Sequence, residues 1–246
     1  MNDIVSSNFP EGTEGDEQTL SDRAFRQISD AIVRGDIKPG AKLSEPDLSR
    51  RLGVSRGPLR EAIRRLEERR LVTRTPRLGA RVVMITHEMM SETFAIREVL
   101  EGLAAREAAG RITDAQVDEL HAMLDAHEVL LDRGSRGYVQ NGADEDFHFA
   151  IVRYSRNASL FQLLCDEYYQ LIRLYRYQHA IVSGRAQRAF IEHQRIAAAI
   201  ADRDADLAEM LMRRHIQASR ANMEKALRAR EEQDAAQVPT RRRRKA

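Results

Sequence analysis

Apolar residues recur at intervals of three and four along most of the chain, which places them on one face of an α-helix. This spacing predicts a first helix over residues 21–34. Further helices are predicted over residues 87–110, 113–134, 138–155, 158–182, 184–203 and 205–231. Two short β-prone runs, residues 71–74 and 80–83, predict a hairpin between these groups. The predicted fold is mainly α, with a small mixed unit followed by an antiparallel helical bundle.

Two short helices with a tight turn between them are predicted in residues 44–67. Ser44 can cap the first helix, and Pro46 fits its first turn, where a backbone N–H has no partner inside the helix. Gly53 can take the positive φ that ends a helix, and Ser55 can cap the next one. Together with the helix before and the hairpin after, this order predicts a winged helix-turn-helix.

The second of these helices carries Arg56, Arg60 and Arg64 at four-residue spacing, so the three guanidinium groups lie on one side. A guanidinium fork matches both guanine edges and phosphates, which makes this the expected recognition helix of a DNA-binding domain. The alternative is an ordinary helical hairpin whose arginine face only contacts water.

Charge is divided unevenly along the chain. Residues 19–85 carry 16 bases and 8 acids, whereas residues 86–235 carry 19 bases and 25 acids. Basic charge concentrated in one region is the expected footprint of phosphate attraction. We therefore predict a disordered arm over 1–18, a DNA-binding domain over 19–85, a helical domain over 86–231 and a disordered basic tail over 232–246.

The cysteine count and the lengths of the apolar runs bear on where in the cell the protein is expected. The single cysteine, Cys165, excludes a disulfide within the chain. No apolar run approaches the roughly 18 residues that span a membrane, and the amino terminus lacks a signal peptide pattern. We expect a cytoplasmic protein with no membrane partner.

Potential metal ligands are distributed over the second region. Asp144 and His148 are one helical turn apart, and His193 and His215 lie in two later helices. Three imidazoles and one carboxylate would leave positions open on a six-coordinate ion, where an anionic small molecule could bind. A histidine taken alone is more often an ordinary hydrogen-bonded core or surface residue than a metal ligand, and that alternative stays open for each of the three.

Residues 20–85, and especially GDIKPGAKLSEPDLSRRLGVSRGPLREAIRRLEERRLVTRTPRLGARV, resemble the DNA-binding domain of the GntR family of bacterial transcription regulators. The resemblance implies base contacts from Arg56 and Arg60, and phosphate contacts from Arg50 and the wing. The DNA-contacting set that we predict on this basis is Arg50, Ser55, Arg56, Gly57, Arg60, Arg64, Arg77 and Gly79. Pro46 and Leu59 depart from the family pattern, and Pro46 stands where some members have a basic contact residue.

Residues 90–225 are similar to the FCD effector domain of the FadR subfamily, through IREVLEGLAAREAA, DEDFHFAIVRYSRNASL, EHQRIAAAI and RRHI. This resemblance implies a divalent transition metal, with zinc first and nickel or manganese also admissible. Its implied ligands are Asp144, His148, His193 and His215, with Glu145 as the rival carboxylate. It also implies a small carboxylate effector, with Arg97 as its counter-ion and Arg173 as a second candidate; the alternative for Arg97 is a salt bridge with Glu101.

Taken together, the sequence predicts a metabolite-responsive transcription regulator, a repressor by family resemblance. A homodimer would place two recognition helices on a pseudopalindromic double-stranded operator. Two alternatives stay open: a metal-dependent hydrolytic or lyase-type enzyme, and a structural nucleic-acid-binding dimer without an effector. No nucleophile or general base with an orienting partner is evident, which counts against the enzyme.

Overall fold

The computed structural model describes residues 19–132, 146–179 and 185–237 of the chain. The predicted arm over 1–18 lies outside this part, as does the basic run at 241–245. In chain order the elements are α1 (Leu20–Val33), β1 (Lys42–Leu43), α2 (Glu45–Leu52), α3 (Arg56–Glu68), β2 (Val72–Thr75), β3 (Gly79–Val82), α4 (His87–Arg111), α5 (Asp114–Asp132), α6 (Phe147–Tyr154), α7 (Ala158–Phe161), a π-helix (Gln162–Glu167), α8 (Tyr169–His179), α9 (Arg185–Ala201) and α10 (Ala205–Gln237).

The first six elements form the predicted winged helix-turn-helix. Gly53 adopts φ 63° directly after α2, so the chain turns sharply into α3. The apolar face of α3 packs against α1, and Ile28 and Ile63 are completely buried there. The antiparallel sheet has the strand order β1-β3-β2. Sequence analysis missed β1, because a two-residue strand is too short to show an alternating pattern.

The helix caps differ in part from those expected. The first helix begins one residue earlier than predicted and is capped by Thr19: its hydroxyl accepts a hydrogen bond from the Asp22 N–H, and the Asp22 carboxylate accepts one from the Thr19 N–H. This reciprocal pair is a capping box, which satisfies two helix-end donors. Ser44 and Ser55 do occupy the cap positions of α2 and α3, but neither side chain makes a capping hydrogen bond.

The helical domain is built on α4 and α10, which run antiparallel in close contact. Gly102 allows this approach, because a Cβ atom there would lie 2.6 Å from Cγ of Arg213. The predicted helix over 158–182 is divided in the structure into α7, the π-helix and α8. Helix α10 reaches Gln237, beyond the predicted end at residue 231. No helix in the described part of the chain is long and apolar enough to cross a membrane.

Polar contacts join the two domains where α1 meets α8. The Ser29 hydroxyl donates to Oε1 of Gln170 at 2.9 Å, and Nη1 of Arg173 lies 2.8 Å from Oδ1 of Asp30. Beside them, the guanidinium of Arg70 stacks 4.6 Å from the centre of the Tyr168 ring. Because α3 also packs on α1, the contacts between α1 and α8 link α3 to the helical domain.

Candidate nucleic-acid interface and metal centre

Helix α3 buries one face and presents arginines on the other. Its apolar residues Leu59, Ile63 and Leu66 are fully buried in the small domain. The Arg60 side chain is 65% exposed and that of Arg64 is 56% exposed. A helix anchored by an apolar stripe and exposing guanidinium groups has the form required to enter a DNA major groove.

Most of these arginines are held by nearby acids. Nε of Arg60 lies 2.9 Å from Oε2 of Glu45, and Nη2 of Arg64 lies 2.6 Å from Oε1 of Glu61. Hydrogen bonding and charge from Glu61, with a further contribution from Glu68, raise the pKa of Arg64 above its ordinary value. Such exposed pairs are worth only about 0–1 kcal/mol, so phosphates can readily displace the acids.

The other predicted DNA contacts lie at the edges of the same surface. Ser55, Arg56 and Gly57 are exposed around the amino end of α3, where backbone N–H groups can receive a phosphate. Arg50, on α2, is also exposed and lies 3.3 Å from Asp47. No ion pair is found for Arg56 among the described residues, so its guanidinium needs no exchange of partners.

The wing is a tight hairpin between β2 and β3. Arg77 and Gly79 adopt positive φ values of 66° and 85° at its tip, and both are exposed. Arg81 instead points back, and its Nη1 donates to the Gly40 carbonyl at 2.9 Å. The hairpin therefore projects Arg77 away from the domain, while Arg81 stabilises the base of the wing.

Three histidines from three helices converge in the helical domain. His148 lies in α6, His193 in α9 and His215 in α10, and all three are buried. Nε2 of His193 lies 3.1 Å from Nε2 of His148 and 3.2 Å from Nε2 of His215. Imidazole nitrogens about 2.0–2.1 Å from a common ion would be separated by about 3 Å, so the spacing fits a shared metal.

The outer nitrogens of two of these rings are held by similar pairs of residues. Nδ1 of His148 lies 2.6 Å from Oε2 of Glu101, whose Oε1 lies 2.6 Å from Nε of Arg97. Nδ1 of His215 lies 2.6 Å from Oε2 of Glu192, and Arg185 binds both oxygens of Glu192 at 2.8 and 2.7 Å. In each case an arginine donates to a glutamate, and the glutamate accepts from Nδ1 of a histidine. Carboxylates orient metal-binding histidines in this way.

The positions of the ring protons leave Nε2 lone pairs facing one another, an arrangement that suits a cation between the three rings. A carboxylate only accepts hydrogen bonds, so Nδ1 of His148 and of His215 carries the proton and the Nε2 lone pair faces inward. His193 can donate to only one of these two lone pairs. Burial lowers the pKa of His215, which keeps its ring neutral, as a metal ligand must be. Burial alone would raise the pKa of Glu192, but hydrogen bonds from His215 and Arg185 lower it to about 2.

The carboxylate expected as the fourth ligand, Asp144, lies outside the described residues, as does its rival Glu145. The nearby Asp146 is described and buried, and its Oδ1 accepts from the backbone N–H groups of His148 and Phe149 as the cap of α6. Asp146 thus fixes the start of the helix that carries His148.

The two arginines expected to bind an effector lie in different places. Arg97 is buried and reaches the histidines through Glu101, which is the salt bridge considered as its alternative. Arg173 lies at the contact between the domains, paired with Asp30. Sequence analysis did not assign Glu101 and Glu192 to the centre. In the structure their carboxylates hold the outer Nδ1 atoms of His148 and His215. In the sequence, Glu101 is marked by its four-residue spacing from Arg97, and Glu192 by its position directly before His193.

Comparison with known proteins follows the division into two domains. Residues 20–82 match the model of bacterial regulatory proteins of the gntR family, and residues 92–218 match the FCD domain. YdhC, an HTH-type transcriptional regulator of Bacillus subtilis strain 168, is 30% identical over 172 residues, covering 70% of this chain and 76% of YdhC. The transcriptional repressor RspR of Escherichia coli K12 is 28% identical over 200 residues, covering 81% of this chain and 87% of RspR.

Among solved structures, McbR/YncC of E. coli aligns with a TM-score of 0.70 at 20% identity, covering 85% of this chain and 99% of that chain, which shows the shared fold. The family matches confirm the resemblances noted in the sequence. They also decide between the function classes, because proteins of this kind bind DNA and regulate transcription rather than catalyse reactions. The chain belongs to the GntR family of bacterial transcription regulators, with the FCD effector domain that is consistent with the FadR subfamily.

Proposed function

We propose that this regulator is a metabolite-responsive repressor that senses a small carboxylate at a divalent transition-metal ion. The observation that carries the proposal is the convergence of the three Nε2 atoms of His148, His193 and His215. Asp144 would supply the carboxylate ligand. Imidazole ligands suit zinc first and admit nickel or manganese, and a bound ion would offer open positions to a carboxylate oxygen.

The effector would bind through a change in the arrangement around the centre. The cavity beside His148, lined by Glu101, Asp146 and Cys165 among others, has a volume of about 20 Å³. That space holds about one water molecule. A carboxylate that entered this cavity would therefore need the lining helices to move, and one that bound Nε of Arg97 would displace Glu101. Such a movement can bias the position of the DNA-binding domains, provided that the effector has unequal affinity for the two arrangements.

The DNA side of the proposal is a homodimer acting in the cytoplasm. Two copies would present two α3 helices to a pseudopalindromic operator, since two-fold protein symmetry matches symmetric half-sites. The exposure of Arg60 and Arg64 on α3 supports this assignment.

The test of the metal centre is the His193→Ala variant, compared with His121→Ala, which removes an exposed histidine of α5. We expect loss of bound metal and of the carboxylate response in His193→Ala, because the shared ligand between the other two rings is missing. Operator affinity should stay close to that of the wild type in both variants. Metal content is measured after mild purification, and operator binding by fluorescence anisotropy. Unchanged metal content in His193→Ala would show that the centre is wrongly assigned.

A further inference from the structure

A cavity of about 430 Å³ lies where the DNA-binding domain meets α4 and α8. This interdomain cavity is separate from the one beside His148, because no residue lines both. Pockets for small molecules commonly have volumes of about 300–1,000 Å³ and often lie between domains. Both domains supply its apolar lining, which includes Val72, Val83, Met89, Ile96 and Leu171.

Arg70 lines the interdomain cavity in a backbone conformation that favours glycine. It follows α3 with φ 59°. Its N–H donates to the Glu67 carbonyl at 3.0 Å, and the Leu71 N–H donates to the Leu66 carbonyl at 3.0 Å, which closes the helix end. Glycine is the usual residue at such a helix end because it has no Cβ atom. An arginine adds strain at this position, which directs attention to what its side chain does.

The guanidinium of Arg70 can receive a carboxylate. It lies over the ring of Tyr168, 4.6 Å from the ring centre, and Tyr168 also lines the cavity. A guanidinium stacked on an aromatic face keeps its N–H groups at the edge, where they can bind both oxygens of a carboxylate. No ion pair joins Arg70 to an acid within residues 19–132, 146–179 and 185–237.

A negative charge lines the α4 side of the same cavity. Glu92 is exposed, lies one helical turn before Ile96, and has no ion-pair partner in the part of the chain that the structure describes. The other two charged residues of the lining, Glu67 and Arg74, lie 3.9 Å apart and balance each other. The cavity therefore presents one uncompensated positive group from the DNA-binding domain and one uncompensated negative group from α4.

We propose that the interdomain cavity binds a small amphipathic zwitterion, an ω-amino acid or a short peptide, whose carboxylate pairs with Arg70 and whose ammonium pairs with Glu92. Its apolar body would lie on the aliphatic lining. A simple anion would face the uncompensated Glu92, and a simple cation would face the uncompensated Arg70, so each would bind more weakly. The site lies outside the proposed metal centre and requires no metal. Because its walls come from both domains, an occupant would also favour the domain arrangement described above.

Calorimetric titration of the full-length protein with three matched molecules tests the ligand class. The first, 6-aminohexanoate, carries both charges, hexanoate carries only the negative one, and hexylamine carries only the positive one. We expect 6-aminohexanoate to bind at least about tenfold more tightly than either of the others, because it alone satisfies both side chains. Equal or tighter binding of hexanoate or hexylamine would overturn the proposal, as would the absence of saturable binding by 6-aminohexanoate.

Two variants assign the charges to their side chains. Arg70→Gly removes the guanidinium at a position where glycine is the usual residue, so the fold should be retained. It should weaken 6-aminohexanoate about tenfold while binding hexylamine no more weakly than the wild type does. Glu92→Gln should show the converse, with weaker 6-aminohexanoate and undiminished hexanoate. Unaltered affinity for 6-aminohexanoate in both variants would overturn the proposal.

Two controls separate this site from other parts of the molecule. Glu88→Gln alters an exposed acid of α4 outside the lining and should bind 6-aminohexanoate as the wild type does. His193→Ala, which removes a predicted metal ligand, should also bind it normally. Loss of 6-aminohexanoate binding in His193→Ala would place the molecule at the metal centre and overturn the interdomain site.

Discussion

Single residues behind the histidines decide which ring nitrogens face the centre. Glu192 accepts from Nδ1 of His215 and is held in place by two hydrogen bonds from Arg185. This ion pair balances the arginine charge inside the domain. In the proposed metal centre, the same carboxylate would increase the basicity of the histidine that it orients and so strengthen metal binding without touching the metal.

Replacing Glu192 by Gln tests this contribution. We expect metal affinity to fall about 10- to 100-fold, because the amide keeps the shape but loses the negative charge. The change is measured by competition with a chromogenic chelator. Glu128→Gln, which alters an exposed residue of α5, is the control and should bind metal as the wild type does. Equal affinities in the two variants would reduce Glu192 to a structural partner of Arg185.

Sequence reasoning identified the histidines but not their supporting acids. Residue spacing paired His148 with Asp144, His193 and His215 were added as candidate imidazoles of two later helices, and family resemblance then implied that all four bind one metal. The link from Glu101 to His148 spans 47 positions and that from Glu192 to His215 spans 23. Such pairs depend on how helices pack, and a local pattern contains no information about that.

At the scale of elements, the recognition helix was the best predicted. Turn chemistry at Gly53 and the apolar spacing of Leu59, Ile63 and Leu66 are local, and the structure reproduces both. The π-helix inside the predicted 158–182 segment could not be foreseen, since its apolar spacing is that of an ordinary helix. Its residues Leu164 and Cys165 line the cavity beside His148, in the candidate metal centre, and Asp166 pairs with Arg69 of the DNA-binding domain. This position agrees with the tendency of π-helical turns to occur at functional sites.

The function of α3 can be tested at Arg60. Arg60→Ala should reduce the ratio of specific to nonspecific DNA affinity by about one to two orders of magnitude, because a bidentate base contact is worth about 1–3 kcal/mol. Arg214→Ala, which removes an exposed arginine of α10, should leave the ratio unchanged. Binding to operator and to random DNA is measured at one fixed salt concentration. An unaltered ratio in Arg60→Ala would mean that another residue reads the bases.

For the whole molecule, the question is how the metal centre and the recognition helix affect each other. The structure joins them through α8 and α1, where Arg173 pairs with Asp30 and Gln170 accepts from Ser29. Arg173 was predicted as a second effector contact, and the structure places it at this contact, where it is paired with Asp30. A contact between domains can pass on a change in the bundle only if it has different strength in the two arrangements.

The Arg173→Ala variant separates sensing from response. The pair is partly exposed, with side chains 19% and 35% accessible, so its loss should cost about 1 kcal/mol or less and leave the fold intact. We expect normal metal content and normal stabilisation by a small carboxylate selected in a thermal-shift screen. The effect of that carboxylate on operator affinity should shrink several-fold, because the bundle and the DNA-binding domain are then less strongly coupled.

Asp30→Ala should have the same effect, and the double variant should add little to either single change, as a double-mutant cycle can measure. A full operator response in Arg173→Ala would show that the coupling runs through other contacts, such as the stacking of Arg70 on Tyr168.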